Sequence, residues 1–161
     1  MKVEFDTKEA MTLAIEKARE TMNANIGGPF GAAIISPIGK IITVTSNSVL
    51  KDHDPTAHAE INAIRDAGKL LGTHDLSGYT LVTSCYPCPM CLGAIVWSNI
   101  THVVYGCHAK DAEKIGFRDD MIYELMRKKK IDNEQLILVE EHRKECLELF
   151  NEYQEKNKEV Y

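Results

Sequence analysis

Apolar positions in this chain repeat first with the period of a helix and then with that of strands. After Asp6 and Thr7, either of which can cap a helix, one helical face carries Ala10, Leu13, Ala14, Ala18 and Met22. This predicted first helix ends before the segment 26–29, which contains two glycines and a proline. Two apolar runs, 30–36 and 41–46, then predict a β-hairpin that turns at 37–40.

The remaining segments continue this alternation of helices and strands. Asp54-Pro55 predicts a helix start with proline at the first helical position, and this second helix carries His58 and Glu60 and ends near Gly72. Later elements are predicted as a strand at 79–83, a helix after Cys88, a strand at 102–105, a helix at 120–128, a strand at 136–139 and a final helix from 143. Such an order indicates a partly parallel sheet with helices on both faces.

Length and charge narrow the class of protein. The chain has 161 residues, which predicts a single domain over 1–161, and its formal net charge is -5. A nucleic-acid binder carries a basic face, so this balance predicts no nucleic-acid partner, and the basic run 127–130 is expected to end a helix. Five cysteines, no signal-peptide pattern and no apolar stretch of spanning length predict a cytoplasmic protein without a membrane partner.

The chemistry is concentrated in His58-Ala59-Glu60 and Pro87-Cys88-Pro89-Met90-Cys91. One histidine and two cysteines supply three ligands that zinc prefers, and they leave a fourth tetrahedral position for water. Glu60 is placed to exchange protons with that water without binding the metal. The helix after Cys88 puts both thiolates at a helix start, where unpaired N–H groups favour negative charge.

The cysteine spacing also allows other interpretations. A Cys-x-x-Cys pair can be a redox motif or half of a structural zinc site. Cys85 extends the spacing to three cysteines, but an iron–sulfur run needs a fourth cysteine at position 95, which is Ile. Because no other cysteine or histidine has suitable spacing, the pattern favours catalytic zinc. Cys85, Cys107 and Cys146 are expected to be buried small residues or free thiols.

The zinc motifs match the H-x-E…P-C-x-x-C signature of the nucleobase zinc deaminases. Beyond them, the chain resembles the bacterial guanine deaminases of the cytidine deaminase superfamily. The segments that carry this narrower resemblance are Gly27-Gly28-Pro29-Phe30-Gly31, Gly116-Phe117-Arg118-Asp119-Asp120 and the terminal Tyr161. The chain departs from the family pattern at Tyr86, where a Glu often precedes the Pro-Cys pair, and at Arg118, where an acidic residue can stand.

The resemblance implies a three-layer α/β/α cytidine deaminase-like fold with a central mixed sheet of about five strands. It implies hydrolysis of guanine to xanthine and ammonia in purine catabolism or salvage, with one zinc per subunit held by His58, Cys88 and Cys91. It further implies a homodimer that exchanges the C-terminal segment, about 143–161, between subunits. The remaining site residues it implies are Glu60 and Asp119 for proton transfer, and Asn47, Phe30, Ala57, Trp97 and Tyr161 for binding the base.

Three other functions share some of these features. A tRNA adenosine deaminase has the same zinc motifs, although the mixed and acidic segment 148–156 suits a grip on RNA poorly. A cytosine or cytidine deaminase also shares the motifs. A zinc-stabilised interaction module would be no enzyme, and Glu60 beside an open metal position argues against it. The favoured partner is therefore a small purine base.

Overall fold

A computed structural model describes residues 6–128 and 136–160. The chain divides into two compact units, Met1–Asp119 and Asp120–Tyr161, and each is described by itself. Within those described ranges, none of the helices combines the length and the apolar character needed to span a bilayer.

The first unit contains most of the regular structure. Its elements are α1 (Lys8–Asn23), β1 (Gly31–Ile35), β2 (Ile41–Ser46), α2 (Val49–Asp52), α3 (Ala59–Leu71), β3 (Thr80–Cys85), α4 (Pro89–Trp97), β4 (His102–Cys107) and α5 (Ala109–Lys114). The second unit contains α6 (Asp120–Arg127) and α7 (Arg143–Glu155). The short helices α2 and α5 are absent from the pattern of apolar positions, because each is too short to show a helical repeat.

The strands form one mixed sheet in the order β2-β1-β3-β4. β1 runs antiparallel to β2 and β3, whereas β3 and β4 are parallel and are joined through α4. The mixed α/β class is therefore confirmed, with four strands in the described ranges and not five. The predicted fifth strand is wrong, since residues 136–140 form neither strand nor helix. An apolar run becomes a strand only where a neighbour accepts its ladder hydrogen bonds.

Alternate residues of the two central strands point to opposite faces of the sheet. One face packs on α3 in a cluster that contains Ala32, Ile34, Leu81, Ala59, Ala63 and Ala67. The other face packs on α1 in a cluster that contains Ala33, Ile35, Val82 and Ala10. α1 approaches β1 so closely that a Cβ at Gly31 would lie 1.9 Å from the backbone oxygen of Ala14. The sheet is thus the middle of three layers.

The start of α3 differs from the prediction, and the difference matters for the site. The Asp54 carboxylate accepts hydrogen bonds from the backbone N–H and the hydroxyl of Thr56, at 2.8 and 2.7 Å, which turns the chain before a helix can form. His58 is extended, with φ -68° and ψ 156°, and caps a helix that begins at Ala59. The predicted helix end is confirmed, because Gly72 takes the left-handed conformation at φ 68°.

Candidate metal centre and active site

Two helix starts bring the predicted metal ligands together. His58 is the N-cap of α3, and Cys88 is the N-cap of α4, where Pro89 occupies the first turn. Cys91 lies in that same first turn and is fully buried. The central strand β3 ends at Cys85, three residues before Cys88. The end of this strand therefore places the start of α4 beside the start of α3. Unpaired N–H groups at both starts favour the negative charge of thiolates.

The three ligand atoms have the spacing of a tetrahedral zinc site. Nδ1 of His58 lies 3.5 Å from Sγ of Cys88 and 3.5 Å from Sγ of Cys91. Zinc bonds of usual length at tetrahedral angles would separate a nitrogen and a sulfur ligand by about 3.6 Å. All three atoms lie within 4.8 Å of one another. Zinc is bound by His58, Cys88 and Cys91, and this confirms the predicted ligand set.

The charges within this triad also suit a cation. Hydrogen bonds from Cys91 and His58 lower the pKa of the Cys88 thiol to about 4. The shared hydrogen bond with Cys88, together with burial, raises the pKa of Cys91, and the hydrogen bond to Cys88 raises the pKa of His58. The negative charge therefore lies on the Cys88 thiolate, and the protons lie on Cys91 and His58. A divalent cation replaces those protons when it binds, because zinc takes deprotonated cysteine and neutral histidine as ligands.

Glu60 lies beside the triad in the first turn of α3 and is only 6% exposed. Its Oε2 is 3.6 Å from Sγ of Cys91, and its Oε1 accepts a hydrogen bond of 3.3 Å from the hydroxyl of Thr83. Burial is the main reason that the pKa of this carboxyl is raised. A buried carboxyl whose pKa is raised binds a proton more readily than an exposed one, which suits a group that accepts and returns protons.

Backbone hydrogen bonds tie the Asn47-Ser48 segment to Phe30 and to Ala57, the residue before the ligand His58. The N–H of Asn47 donates to the backbone oxygen of Phe30 at 3.0 Å, and the N–H of Ser48 donates to that of Ala57 at 3.0 Å. Asn47 is buried, and its Oδ1 accepts from the N–H groups of Gly28 and Val49, both at 3.2 Å. Its Nδ2 donates to no atom in the described ranges. These bonds orient the amide with its donor side available.

Gly27 and Gly28 hold the backbone close to this group. A Cβ at Gly27 would lie 2.1 Å from the backbone oxygen of Asn47, so no larger residue fits there. A Cβ at Gly28 would come within 3.1 Å of the rings of Phe30 and Phe117, which meet edge to face at 4.9 Å between centroids. The absence of a side chain at Gly28 thus lets the two aromatic rings pack closely on the glycine segment.

Asp119 and Cys85 extend the polar surroundings of the site. Burial first, and then Cys107 and Glu60, raise the pKa of Cys85 to about 11, and Asp119 acts in the same direction. Cys85 is therefore a neutral thiol, and its Sγ donates to the backbone oxygen of His108 at 3.7 Å. The buried free thiol expected at Cys85 is present, whereas Cys107 and Cys146 are exposed free thiols.

Trp97 lies at the opposite end of α4 from the ligand-bearing first turn. It is the last residue of α4, six residues after Cys91 and thus about 9 Å farther along the helix. Its side chain is 71% exposed. A role for Trp97 in binding the base stays a prediction. Tyr161 lies outside the described residues.

Three residues near the site had been given no role from the sequence. Asn62, one turn into α3, donates from Nδ2 to the backbone oxygen of Ser46 and the hydroxyl of Ser48, both at 2.9 Å, and so ties the Asn47 segment to α3. Phe117 borders the glycine segment, and Thr83 contacts Glu60. The only sequence signal for Thr83 was a polar residue that follows the apolar pair Leu81-Val82 in a predicted strand.

Fold and site together define a zinc-dependent deaminase. The chain belongs to the family described as the cytidine and deoxycytidylate deaminase zinc-binding region, whose model matches residues 5–107.

Within this family, relatives that act on purines are similar to the chain. The guanine deaminase of Bacillus subtilis (strain 168) is 51% identical over 116 residues, which cover 72% of this chain and 71% of the relative. An X-ray structure of guanine deaminase from Bacillus subtilis superposes with a TM-score of 0.89 at 40% identity, covering 98% of this chain and 99% of that one.

Two further similarities bear on substrate. A solved mutant protein in complex with 8-azaguanine has a TM-score of 0.67 at 37% identity and covers 71% of this chain and 65% of that chain. The tRNA-specific adenosine deaminase of Buchnera aphidicola subsp. Schizaphis graminum is 36% identical over 127 residues, 78% of this chain and 79% of the relative.

Proposed function

We propose that this protein is a zinc-dependent guanine deaminase, a hydrolase that converts guanine and water into xanthine and ammonia in purine catabolism or salvage. The observation that carries the proposal is the His58, Cys88 and Cys91 triad with the buried Glu60 beside it. Similarity along nearly the whole chain to a guanine deaminase supports the choice of substrate. No organic cofactor is needed for this hydrolysis.

Zinc held by His58, Cys88 and Cys91 would supply a water nucleophile of lowered pKa. Glu60 accepts a proton from that water while the water oxygen adds to C2 of the purine. Glu60 then delivers this proton to the neighbouring ring nitrogen, which leaves a tetrahedral C2. The remaining hydroxyl proton passes to the amino group with the help of Glu60 or Asp119, and the C2–N bond breaks to release ammonia.

Asn47, Phe30 and Ala57 hold the purine in this reaction. Asn47 directs its Nδ2 donor to acceptors on the edge of the base, because its Oδ1 is already held by two backbone N–H groups. Phe30 offers an aromatic wall, and Ala57 allows the ring to approach the segment that carries His58. A relative solved with 8-azaguanine supports a purine as the ligand.

The protein acts as a homodimer in which the C-terminal segment, about 143–161, is exchanged between subunits and Tyr161 closes the partner's site. Exposed apolar side chains in the second unit support this assembly, since Leu138, Val139, Leu149 and Phe150 are each more than half exposed. An isolated chain would leave these side chains in water.

The test of the function is an ammonia-release panel with the zinc-loaded protein. Guanine is expected to react far faster than guanosine, adenine, cytosine or a tRNA anticodon stem-loop. Preferential release from the stem-loop would instead support the second candidate, a tRNA adenosine deaminase, for which the Buchnera similarity is the specific observation. Zinc-loaded protein that releases ammonia from none of these substrates would contradict the proposal.

A further inference from the structure

Thr83 is a polar residue in the most buried part of the sheet. It lies on β3, pairs with Ala32 of β1 and Tyr105 of β4, and is 1% exposed. Its side chain shares a face with Leu81, because residues two apart in a strand point the same way. That face packs on α3, so the hydroxyl is directed to the helix that carries Glu60.

The Thr83 hydroxyl has two acceptors and a single proton. Oγ1 lies 3.3 Å from Oε1 of Glu60 and 3.1 Å from the backbone oxygen of Cys85. A hydroxyl rotates to suit its surroundings, and a bond to a charged acceptor is the stronger one. The hydroxyl proton is therefore directed to Oε1 of the Glu60 carboxylate, and the backbone oxygen of Cys85 is the alternative acceptor.

The two oxygens of Glu60 consequently have different surroundings. Oε1 faces the Thr83 hydroxyl, whereas Oε2 lies on the side of the zinc ligand Cys91, at 3.6 Å from its Sγ. We infer that Thr83 is a positioning residue that holds Oε1 as a hydrogen-bond acceptor, so that Oε2 is the oxygen that moves the proton between water and purine. The inference rests on the deaminase function proposed above, because only a working Glu60 needs a fixed carboxylate.

Fixing Oε1 matters because the Glu60 carboxyl must keep the same position both before and after it accepts a proton. A misplaced group loses much of its rate advantage even when it stays within contact distance. Without the hydroxyl, the Glu60 carboxylate would rotate about its terminal torsion and present either oxygen to the water. Binding of the base would be unaffected, because Thr83 lies beneath Glu60 and makes no contact with Asn47 or Phe30 among the described hydrogen bonds.

The test compares three variants by kcat and KM for guanine, zinc content and thermal unfolding. Thr83→Val keeps the branched shape and removes the hydroxyl, whereas Thr83→Ser keeps the hydroxyl. Thr80→Val is the matched control, because Thr80 lies in the same strand, is 3% exposed and forms no hydrogen bond with Glu60. Thr83→Val should lower kcat by about tenfold or more, the scale of losing a hydrogen bond to a charged group.

The other expected results separate positioning from packing. KM should stay within about twofold in Thr83→Val, as for a loss confined to the transition state. Zinc should remain at one per chain in all three variants, Thr83→Ser should recover most of kcat, and Thr80→Val should resemble the wild type.

Several outcomes would overturn the inference. These are a wild-type kcat in Thr83→Val, a Thr83→Ser variant as slow as Thr83→Val, an equal loss in Thr80→Val, or loss of zinc together with activity. A zinc-loaded wild type that releases no ammonia from guanine is a different result, because it refutes the deaminase function itself.

Discussion

At the scale of single residues, the site depends on small differences in surroundings between like side chains. Cys85, Cys88 and Cys91 are spaced at equal intervals, yet only the last two meet Nδ1 of His58. Burial keeps the Cys85 thiol neutral, with a pKa near 11, while hydrogen bonds lower the pKa of Cys88 to about 4. Position relative to the helix start, and not residue type, separates a ligand from a neighbour.

Replacing Cys88 or Cys91 with alanine should therefore remove zinc, whereas Cys85→Ala should retain one zinc per chain. Each of the first two changes leaves only two ligands, while Cys85 offers none. Metal analysis of the purified variants measures this directly. Retention of zinc by Cys91→Ala, with loss in Cys85→Ala, would reverse the assignment.

Glu60→Gln should fold and bind zinc but lose nearly all activity. Gln keeps the shape of the side chain and can still accept a hydrogen bond from Thr83, but it cannot carry the proton. General acid–base catalysis contributes ~10²–10⁴-fold, and Glu60 handles more than one transfer, so the loss should lie at or above the upper end. Steady-state ammonia release beside metal analysis tests this, and near wild-type turnover would remove Glu60 from the mechanism.

At the scale of elements, close packing of helices on the sheet sets where the two ligand-bearing helix starts lie. α1 packs directly on Gly31 of β1, and the alanine face of α3 packs on the opposite side. Small residues at these contacts let both helices approach the sheet. The position of α3, and hence of His58, depends on this spacing because the interior has no spare volume.

Gly31→Ala should lower the free energy of unfolding by ~1–3 kcal/mol, the usual cost of overpacking. The added methyl would lie 1.9 Å from the backbone oxygen of Ala14, so α1 must move. Chemical denaturation measures the change. Gly93→Ala is the matched control, because a Cβ at Gly93 meets no atom within 4 Å and alanine favours the helix α4 by ~1 kcal/mol. Equal stability of the two variants would contradict this packing.

At the scale of the whole molecule, the proposed assembly determines whether the C-terminal segment of a subunit completes its own active site or that of its partner. The first unit carries the metal triad and Glu60, whereas the segment proposed for exchange belongs to the second unit. If exchange occurs, the tail and the Glu60 of one chain serve different sites of the dimer. That separation makes the assembly testable by mixing chains.

Deleting Val160 and Tyr161 should sharply lower guanine turnover and relax discrimination against guanosine, with zinc content and thermal unfolding nearly unchanged. A closed pocket excludes bulk water and leaves little room for a ribose. Kinetics of the truncated chain with both substrates provides the measurement. Full activity after truncation would mean that these residues are an ordinary chain end.

Mixing the truncated chain with Glu60→Gln chains under conditions of subunit exchange should restore activity. In a mixed dimer, one site then combines an intact Glu60 with an intact tail from the partner. Homodimers of Glu60→Gln and of the truncated chain serve as controls. A mixture that forms heterodimers yet regains no activity would argue that each tail serves its own subunit.

Much of the site could be predicted from the sequence, because the metal ligands and their spacing lie within short segments of the chain. His58, Glu60, Cys88 and Cys91 fall within two motifs, and a helix start needs only its own neighbours. The α/β order and the end of α3 at Gly72 followed from local patterns in the same way. The start of α3 was missed because the Asp54 side chain competes with the helix for the Thr56 N–H.

Tertiary structure alone decided the features that depend on distant residues. Thr83 meets Glu60 across 23 positions, and Asn62 reaches back to Ser46 across 16. The exposure of Trp97 depends in the same way on the length of α4, at whose end this residue lies. The strand predicted at 136–139 is absent because a strand also needs a distant neighbour to pair with. The pattern of apolar residues predicts that a segment is buried, whereas only the tertiary structure determines which other segment covers it.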